Sequence, residues 1–336
     1  MQRYSRQSIF PGIGADGQAR LAAATVAILG LGATGSAIFN ALLRAGVGHL
    51  RIADRDWVEL HNLPRQTLYT EADAASLTPK VIAAAAHGRA INSASRITPL
   101  LMDITADTIA EAVGDATVVL DGADNLELRY LINDWCVRER LPWVYTGVLA
   151  AHGMTATLQP DGACFRCIFP PAPNTANSPT CETAGVVGPV VGVLANLAAA
   201  ETLKLITGNG PPNPGLLAVD VWSWTFDQLP IPPRRADCPT CGRREFEFLA
   251  GAGSRTTALC GRDAVQVRPP QRAVLDLAAL AQRLTAAGQT VQHTPHLLRF
   301  SADDHTLTLF PDGRAIISGT ADEATARGIY ARWIGM

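Results

Sequence analysis

The sequence predicts an α/β protein in which a doubly wound, mostly parallel sheet is followed by a small α+β module. Three observations carry that prediction. Residues Ala23 to Asp56 read as strand, glycine-spaced turn, helix, strand and acidic end. Strand-like and helical runs then alternate as far as Trp224, with loop lengths that suit βαβ units. From Leu259 onward the pattern changes to short strands around a Pro-Asp-Gly turn, accompanied by two helices. At 336 residues, one large and one small domain is the natural expectation, drawn here at 1–250 and 258–336.

Asp16 to Ala23 has the spacing of an amphipathic helix, after a polar entry that contains Arg3 and Arg6. Thr25 to Leu29 is apolar and partly β-branched, as a buried parallel strand should be. Gly30, Gly32 and Gly35 follow directly in the Gly-x-Gly-x-x-Gly spacing of a Rossmann-like unit. Missing side chains there let the backbone approach a phosphate seated on the N-terminus of the next helix, Ser36 to Ala45. His49 to Ala53 is the second strand, and Asp54 at its end is placed to accept hydrogen bonds from ribose hydroxyls. A glycine-rich turn with a purely structural role is the alternative.

Pro64 forbids a regular helix in Trp57 to Gln66. Asn62, Arg65 and Gln66 therefore fall on an irregular segment beyond a strand's carboxyl end, where open α/β sheets bind ligands. Pro79 and Lys80 open a helix, Val81 to Ile91. A strand, Ala116 to Leu120, runs into Asp121-Gly-Ala-Asp124-Asn125. The helix Leu126 to Glu139 follows, then strands Pro142 to Thr146 and His152 to Leu158. Residues 164 to 189 are rich in breakers and hold Cys164-Phe-Arg-Cys167 and Thr180-Cys181-Glu-Thr-Ala-Gly185. A helix, Val190 to Ile206, a strand, Leu216 to Trp224, and Cys238-Pro-Thr-Cys241 close the first domain, and Gly251 to Thr257 reads as a linker. The second domain reads as strand Val265 to Val267, helix Ala273 to Ala287, and strands Thr290 to Gln292 and Leu297 to Ser301. The hairpin Thr306 to Phe310 with Arg314 to Ile317 follows, then a helix, Asp322 to Trp333. No internal repeat is visible.

A net charge of −2 without a basic block argues against nucleic acid as a direct partner. No run of about 18 uncharged apolar residues suggests a membrane span, and no apolar stretch follows the first charges as a signal peptide requires. Seven cysteines with two Cys-x-x-Cys pairs fit thiols or metal ligands in a reducing cytoplasm better than a disulfide framework.

The two Cys-x-x-Cys pairs are the strongest metal signal. Cys164, Cys167, Cys238 and Cys241 together offer zinc four thiolates, a closed set suited to a structural role. Two unrelated pairs, or a redox dithiol, are the alternatives. Arg65 and Lys80 are cations near the expected phosphate end, with Asn62 as a neutral donor. Asp124 stands at a strand's carboxyl edge, where one carboxylate plus phosphate oxygens and water suffice for Mg²⁺. Singly each reads as an ordinary surface charge; beside the glycine turn and Asp54 they read as a triphosphate site. Cys181 precedes a helix, whose dipole favours thiolate, or is a small apolar residue. Cys136 reads as core, Cys260 stays open, and the seven histidines form no ligand pattern.

These residues resemble a family. Arg3-Tyr-Ser-Arg6-Gln, Gly30-Leu-Gly-Ala-Thr-Gly35, Asp54-x-Asp56, Asn62-Leu-Pro-Arg65-Gln66, Pro79-Lys80, Asp121-Gly-Ala-Asp124-Asn125, both cysteine pairs and Thr180-Cys181-x-x-Ala-Gly185 are similar to the motifs of the ThiF/MoeB/HesA family. Those proteins are bacterial relatives of ubiquitin-activating enzymes, and the likeness spans about residues 1 to 245. It implies an adenylyltransferase: MgATP adenylates the C-terminal carboxylate of a Gly-Gly-ended, ubiquitin-like sulfur carrier, and pyrophosphate leaves. It further implies that Asp54 holds the ribose, that Asn62, Arg65 and Lys80 hold phosphates, and that Asp124 places Mg²⁺. Arg6 would come from the second subunit of a homodimer, and Cys181 would sit on a crossover loop that in some members carries the activated carrier covalently. Ala33 stands where many members have glycine. The C-terminal module shows no rhodanese loop, so sulfur would come from a separate donor, a cysteine desulfurase or rhodanese. Thiamine, molybdenum-cofactor or tRNA-thiolation pathways are the implied settings. Competing readings are adenylation of a peptide carboxylate or a tRNA base, an NAD-dependent oxidoreductase, and a non-catalytic docking protein.

Overall fold

The computed structural model of the chain describes residues 2–170, 181–251, 256–258, 263–269 and 274–334. Contacts divide them into two units, 1–252 and 253–336.

The first unit opens with helices α1 (Ser5–Ile9) and α2 (Gly14–Ala23), then β1 (Thr25–Leu29), α3 (Ala33–Ala45) and β2 (His49–Asp54). Helix α3 starts three residues before the position expected from sequence, because Gly32 already acts as its N-cap. Gly46, with φ of 88°, ends it in the left-handed conformation glycine tolerates. After α4 (Glu71–Ala75) and α5 (Lys80–Ile91) comes β3 (Arg96–Leu101). That strand was not legible in the sequence. It carries Pro99 and no fully buried residue, a composition tolerated on a sheet edge, and the edge is where it lies. The chain continues through α6 (Ile109–Val113), β4 (Val118–Asp121), α7 (Leu126–Glu139), β5 (Trp143–Leu149) and β6 (His152–Leu158). The short α8 (Phe165–Ile168) and α9 (Cys181–Ala184) precede the long α10 (Gly188–Thr207), with β7 (Gly215–Asp220) and β8 (Thr225–Pro230) last.

The eight strands order as β3-β2-β1-β4-β5-β6-β7-β8. The first five run parallel and the last three antiparallel. Strand β1 shows why the sequence had to be apolar on every residue from Val26 to Leu29. Val26 and Ile28 join a core with α3, α5 and α10, while Ala27 and Leu29 join a second core with α6 and α7 on the opposite face. Helix α10 is long and apolar enough to cross a membrane by length and composition, yet half of it is buried here. It packs on α3, β5 and β6, and its buried Glu201 accepts from Thr157 Oγ1 at 2.9 Å.

The run Leu216 to Trp224 is not one strand. Asp220 accepts the N–H groups of Trp222 and Ser223, Trp224 turns through φ of 60°, and the chain returns as β8. That strand is an edge with every residue exposed.

The second unit is a six-stranded antiparallel sheet. Its strands are β9 (Thr256–Ala258), β10 (Ala264–Val267), β11 (Val291–His293), β12 (Leu298–Ala302), β13 (His305–Leu309) and β14 (Ala315–Ser318). Their order is β11-β12-β13-β14-β10-β9. Leu277, Leu280 and Leu284 of α11 (Leu277–Ala286) and Ala326, Ile329 and Tyr330 of α12 (Glu323–Ile334) close its core. The stretch read as a linker therefore ends in a strand: Thr257 pairs with Gln266. Cys260 lies outside the described residues.

Candidate nucleotide site and four-cysteine cluster

The glycine turn joins two neighbouring strand ends. Gly30 N–H donates to Ala53 O at 2.8 Å, and Gly122 N–H donates to Leu29 O at 2.8 Å. Gly30 sits at φ of 91°. A Cβ there would overlap the Gly122 carbonyl, and a Cβ at Gly35 or Gly122 would overlap the Gly30 carbonyl. Those three glycines are needed by the protein's own backbone. Gly32 is different: the nearest atom to a Cβ built on it is Gln66 Nε2, 3.9 Å away. Helix α3 also has no side-chain cap at Gly32, so its first-turn N–H groups are offered to an anion.

Asp54, buried at the end of β2, accepts Leu31 N–H on Oδ2 at 2.5 Å and Asp56 N–H on Oδ1 at 2.7 Å. Its first duty is to tie down the turn, and each oxygen keeps a further lone pair for a hydroxyl donor. Burial pushes its carboxyl above the usual range, against the pull of Lys80.

Lys80, expected to hold phosphate, is buried, and its ammonium pairs with Asp56 Oδ2 at 3.1 Å. The ion pair holds it at the site's wall. Arg65 Nη1 donates to His61 O at 2.9 Å. Asn62 is buried and uses Oδ1 to accept Glu59 N–H at 3.1 Å. Its Nδ2, and Oε1 of the buried Gln66, have no partner among the described residues. Two orphaned polar atoms on one segment, with Gln66 reaching toward Gly32, mark where a polar ligand would complete the structure.

Asp124 is exposed and accepts from Asn125 Nδ2 at 2.9 Å, while Asn125 Oδ1 caps α7 through Leu128 N–H. The turn that displays it is built by a pair without a local sequence signature. Arg129 donates to Asp121 Oδ2 at 3.0 Å and to Ala123 O at 2.8 Å, with its guanidinium 5.3 Å from the Tyr145 ring centre. Burial pushes the Asp121 carboxyl up, and Arg129 opposes it.

Arg55 was also missed. Its Nη1 lies 3.1 Å from Asp103 Oδ1 and its Nε 3.9 Å from Asp56 Oδ1. Burial works against its charge, but Asp103, Asp56, Asp124 and Asp54 outweigh it and hold the guanidinium protonated. The Asp54-Arg55-Asp56 sequence hinted at this cation; its partner follows β3, the strand that sequence could not show. Arg6 stands apart on α1, exposed and without an ion pair or hydrogen bond among the described residues, beside exposed Ile9 and Phe10.

The four cysteines converge. Cys164 Sγ is 4.0 Å from Cys167 Sγ and 3.7 Å from Cys238 Sγ; Cys167 and Cys241 are 3.4 Å apart. All four sulfurs lie within 4.8 Å of one another, and all four residues are buried. A tetrahedral metal with bonds of about 2.3 Å needs sulfurs about 3.8 Å apart, so the donor set fits zinc. Burial and three sulfur neighbours push the Cys164 thiol far up, and burial with Cys167 and Cys238 pushes Cys241 up to about 11 against a hydrogen bond with Cys164. Against its own burial, hydrogen bonds draw Cys238 down to about 7. Four thiolates can share this space only around a cation. Cys136 is core, as expected. Cys181 begins the one-turn α9; its side chain lies outside the described residues.

Comparison with known proteins adds the following. The model of the ThiF family matches residues 4–240. A protein named sulfur carrier protein ThiS adenylyltransferase, from Bacillus subtilis, is 41% identical and covers 99% of both chains. The SAMP-activating enzyme E1 of Haloferax volcanii is 37% identical over 72% of this chain and 89% of its own. Among solved structures, Escherichia coli MccB crystallised with ATP superposes with a TM-score of 0.64 at 24% identity, over 71% of this chain and 74% of that one. That last likeness is one of fold.

Proposed function

Because the chain belongs to the ThiF family, we propose that it adenylates the C-terminal Gly-Gly carboxylate of a ubiquitin-like sulfur carrier, using ATP. The observation that carries this reading to the residues is the space left open at Gly32. It faces an uncapped helix start, with Gln66 Nε2 as its nearest protein atom, on the segment that carries the orphaned Asn62 Nδ2 and Gln66 Oε1. In the reaction a carboxylate oxygen of the carrier attacks the α-phosphorus, the bond to the β-phosphate breaks, and acyl-adenylate and pyrophosphate form. Phosphoryl chemistry of this kind needs positioning and charge neutralisation more than covalent help.

Each residue has a part that suits its surroundings. The N–H groups after Gly32 would cradle phosphate, and Asp54 would orient the ribose while holding the turn. Asn62, Arg65, Gln66 and Lys80 would contact the phosphates, with Asp56 fixing Lys80. Asp124, with Asn125 beside it, would hold Mg²⁺, as a single exposed carboxylate can, and the ion would supply positive charge against the phosphates. Arg6 would reach the site of a second subunit in a homodimer. Its exposure without partners suits that role, as do the apolar Ile9 and Phe10 beside it. Cys164, Cys167, Cys238 and Cys241 would hold a structural zinc. The free thiols fit a cytoplasmic setting, and the sulfur donor would be a separate cysteine desulfurase or rhodanese.

ATP–pyrophosphate exchange, with and without Gly-Gly-ended carriers, tests the reading. Exchange should require one carrier and fall about a hundredfold in Asp124→Ala, the effect of about 3 kcal/mol of lost charge stabilisation. ATP binding with no exchange on any carrier would redirect the reading to a peptide or tRNA substrate; binding of nicotinamide dinucleotide in place of ATP would overturn it. Cys181→Ala tests the covalent role: unchanged carrier thiocarboxylate formation would sink it.

A further inference from the structure

Helix α7 touches both centres. At its start Asn125 caps the helix beside Asp124, and Arg129 grips Asp121 and Ala123 O. Further along, two consecutive buried residues each take hold of one cysteine pair. Asn133 Oδ1 accepts Phe165 N–H at 2.8 Å, within Cys164-Phe-Arg-Cys167. Asp134 Oδ1 accepts Thr240 Oγ1 at 2.9 Å, within Cys238-Pro-Thr-Cys241, and Asp134 Oδ2 accepts Phe248 N–H at 3.0 Å. Tyr130 and Val137 extend the same face. Tyr130 meets Phe165 edge-on at 5.5 Å and stacks on Phe248 at 5.0 Å, and Val137 packs on the cysteines themselves. Residues 130, 133, 134 and 137 recur at helical spacing, so one stripe of α7 is committed to the cluster.

We propose that Asn133 and Asp134 are positioning residues through which the four-cysteine cluster fixes α7 and thereby the aim of Asp124. The proposal rests on the role given above to Asp124. Asp124 lies two residues before α7, and the helix runs eight residues from Leu126 to Asp134, about 12 Å at 1.5 Å per residue. A helix transmits a tilt over that length instead of absorbing it in loop torsions. The two cysteine pairs stand 74 residues apart in sequence, and among the described residues no hydrogen bond or ion pair joins either to Asp124. Their link to it is the helix they share. A carboxylate at 134 suits the task because it accepts from both the second cysteine pair and the segment beyond it.

The test uses full-length, zinc-loaded protein and two readouts that need no carrier. Zinc release to a chromogenic chelator is timed, and ATP affinity is titrated against Mg²⁺. Asp134→Ala should release zinc about 10- to 100-fold faster, the usual cost of removing a ligand's supporting partner. It should also raise the Mg²⁺ needed for half-maximal tightening of ATP severalfold, with ATP affinity in EDTA unchanged. Asp134→Asn, which keeps one acceptor, should fall between. The parent stripped of zinc should show the same Mg²⁺ shift, which preserves the test if Asp134→Ala does not fold. Faster zinc release with an unaltered Mg²⁺ requirement, in the variants or in the stripped parent, overturns the proposal. So does a Mg²⁺ shift with parental zinc retention. A parent that binds ATP indifferently to Mg²⁺ and to Asp124→Ala overturns the nucleotide reading itself, a separate failure.

Discussion

Gly32→Ala separates a glycine kept for a ligand from glycines kept for the fold. At Gly32 the backbone has φ of −70°, outside the left-handed region that favours glycine, and the added methyl finds no protein atom closer than 3.9 Å. Stability should therefore stay within about 0.5 kcal/mol of the parent. The same methyl would stand in the path of a phosphate, and overpacking of that kind costs about 1–3 kcal/mol. ATP affinity should fall about 5- to 150-fold. Gly30→Ala inverts the result. Left-handed backbone costs a substituted residue about 1–2 kcal/mol, and overlap with the Gly122 carbonyl adds about 1–3 kcal/mol. For a unit of this size that is a melting temperature lower by roughly 5–15 °C. Thermal unfolding followed by circular dichroism gives the first quantity and isothermal titration with ATP the second. A Gly32→Ala protein that binds ATP as the parent does, or that melts as early as Gly30→Ala, would refute the assignment of Gly32 to the ligand.

Three further outcomes are expected. Lys80→Met should destabilise by about 3 kcal/mol in urea, since it strips the buried wall of Asp56's close partner; adding Asp56→Leu should recover part of that stability but not ATP binding. Arg6→Ala and Asp124→Ala proteins, each inactive alone, should regain about a quarter of the parental exchange rate when mixed, because half of randomly paired dimers carry one intact site; no recovery would place Arg6 outside the partner's site. Burial raises the Asp73 carboxyl, but hydrogen bonds from His87 and Thr70 outweigh it and hold the folded value below the usual range. Its stabilising effect is thus complete above the unfolded value of about 3.9 and disappears as pH falls through the lower folded value. Asp73→Asn should be less stable than the parent at pH 6 and converge with it in stronger acid, read by chemical unfolding at each pH.

What sequence could show was decided by how local each feature is. The unit Thr25 to Asp54 was legible because strand, turn, helix and acidic end are contiguous. The cysteine pairs were legible because each Cys-x-x-Cys turn is a ligand unit before its partner arrives. Strand β3 was hidden by Pro99 and by the half-polar surface of an edge, and with it Asp103, so Arg55 lacked its counter-charge. The Asp56 partner of Lys80 was not legible because it sits 24 residues earlier, at a distance only the fold closes. The Leu216 to Trp224 run concealed a reversal because Trp222 and Trp224 look like strand residues while the turn depends on Asp220 and on a left-handed tryptophan. Asn133 and Asp134 gave no signal at all: two polar residues inside a helix are unremarkable until their partners are known.

The backbone contact among Gly30, Gly35 and Gly122 has a consequence for how the molecule comes into being. Strand β1 pairs with β4, and Leu29 waits for Gly122 N–H, so the proposed phosphate cradle belongs to two segments separated by some ninety residues of chain. During synthesis at about 5–20 residues per second, several seconds pass in which the glycine turn exists without the neighbour that shapes it. A nascent chain halted before β4 has the whole fingerprint in its sequence and no nucleotide pocket. Competence to bind arrives as a step, when the fourth strand docks, and the glycine turn cannot be matured by its ligand ahead of that strand.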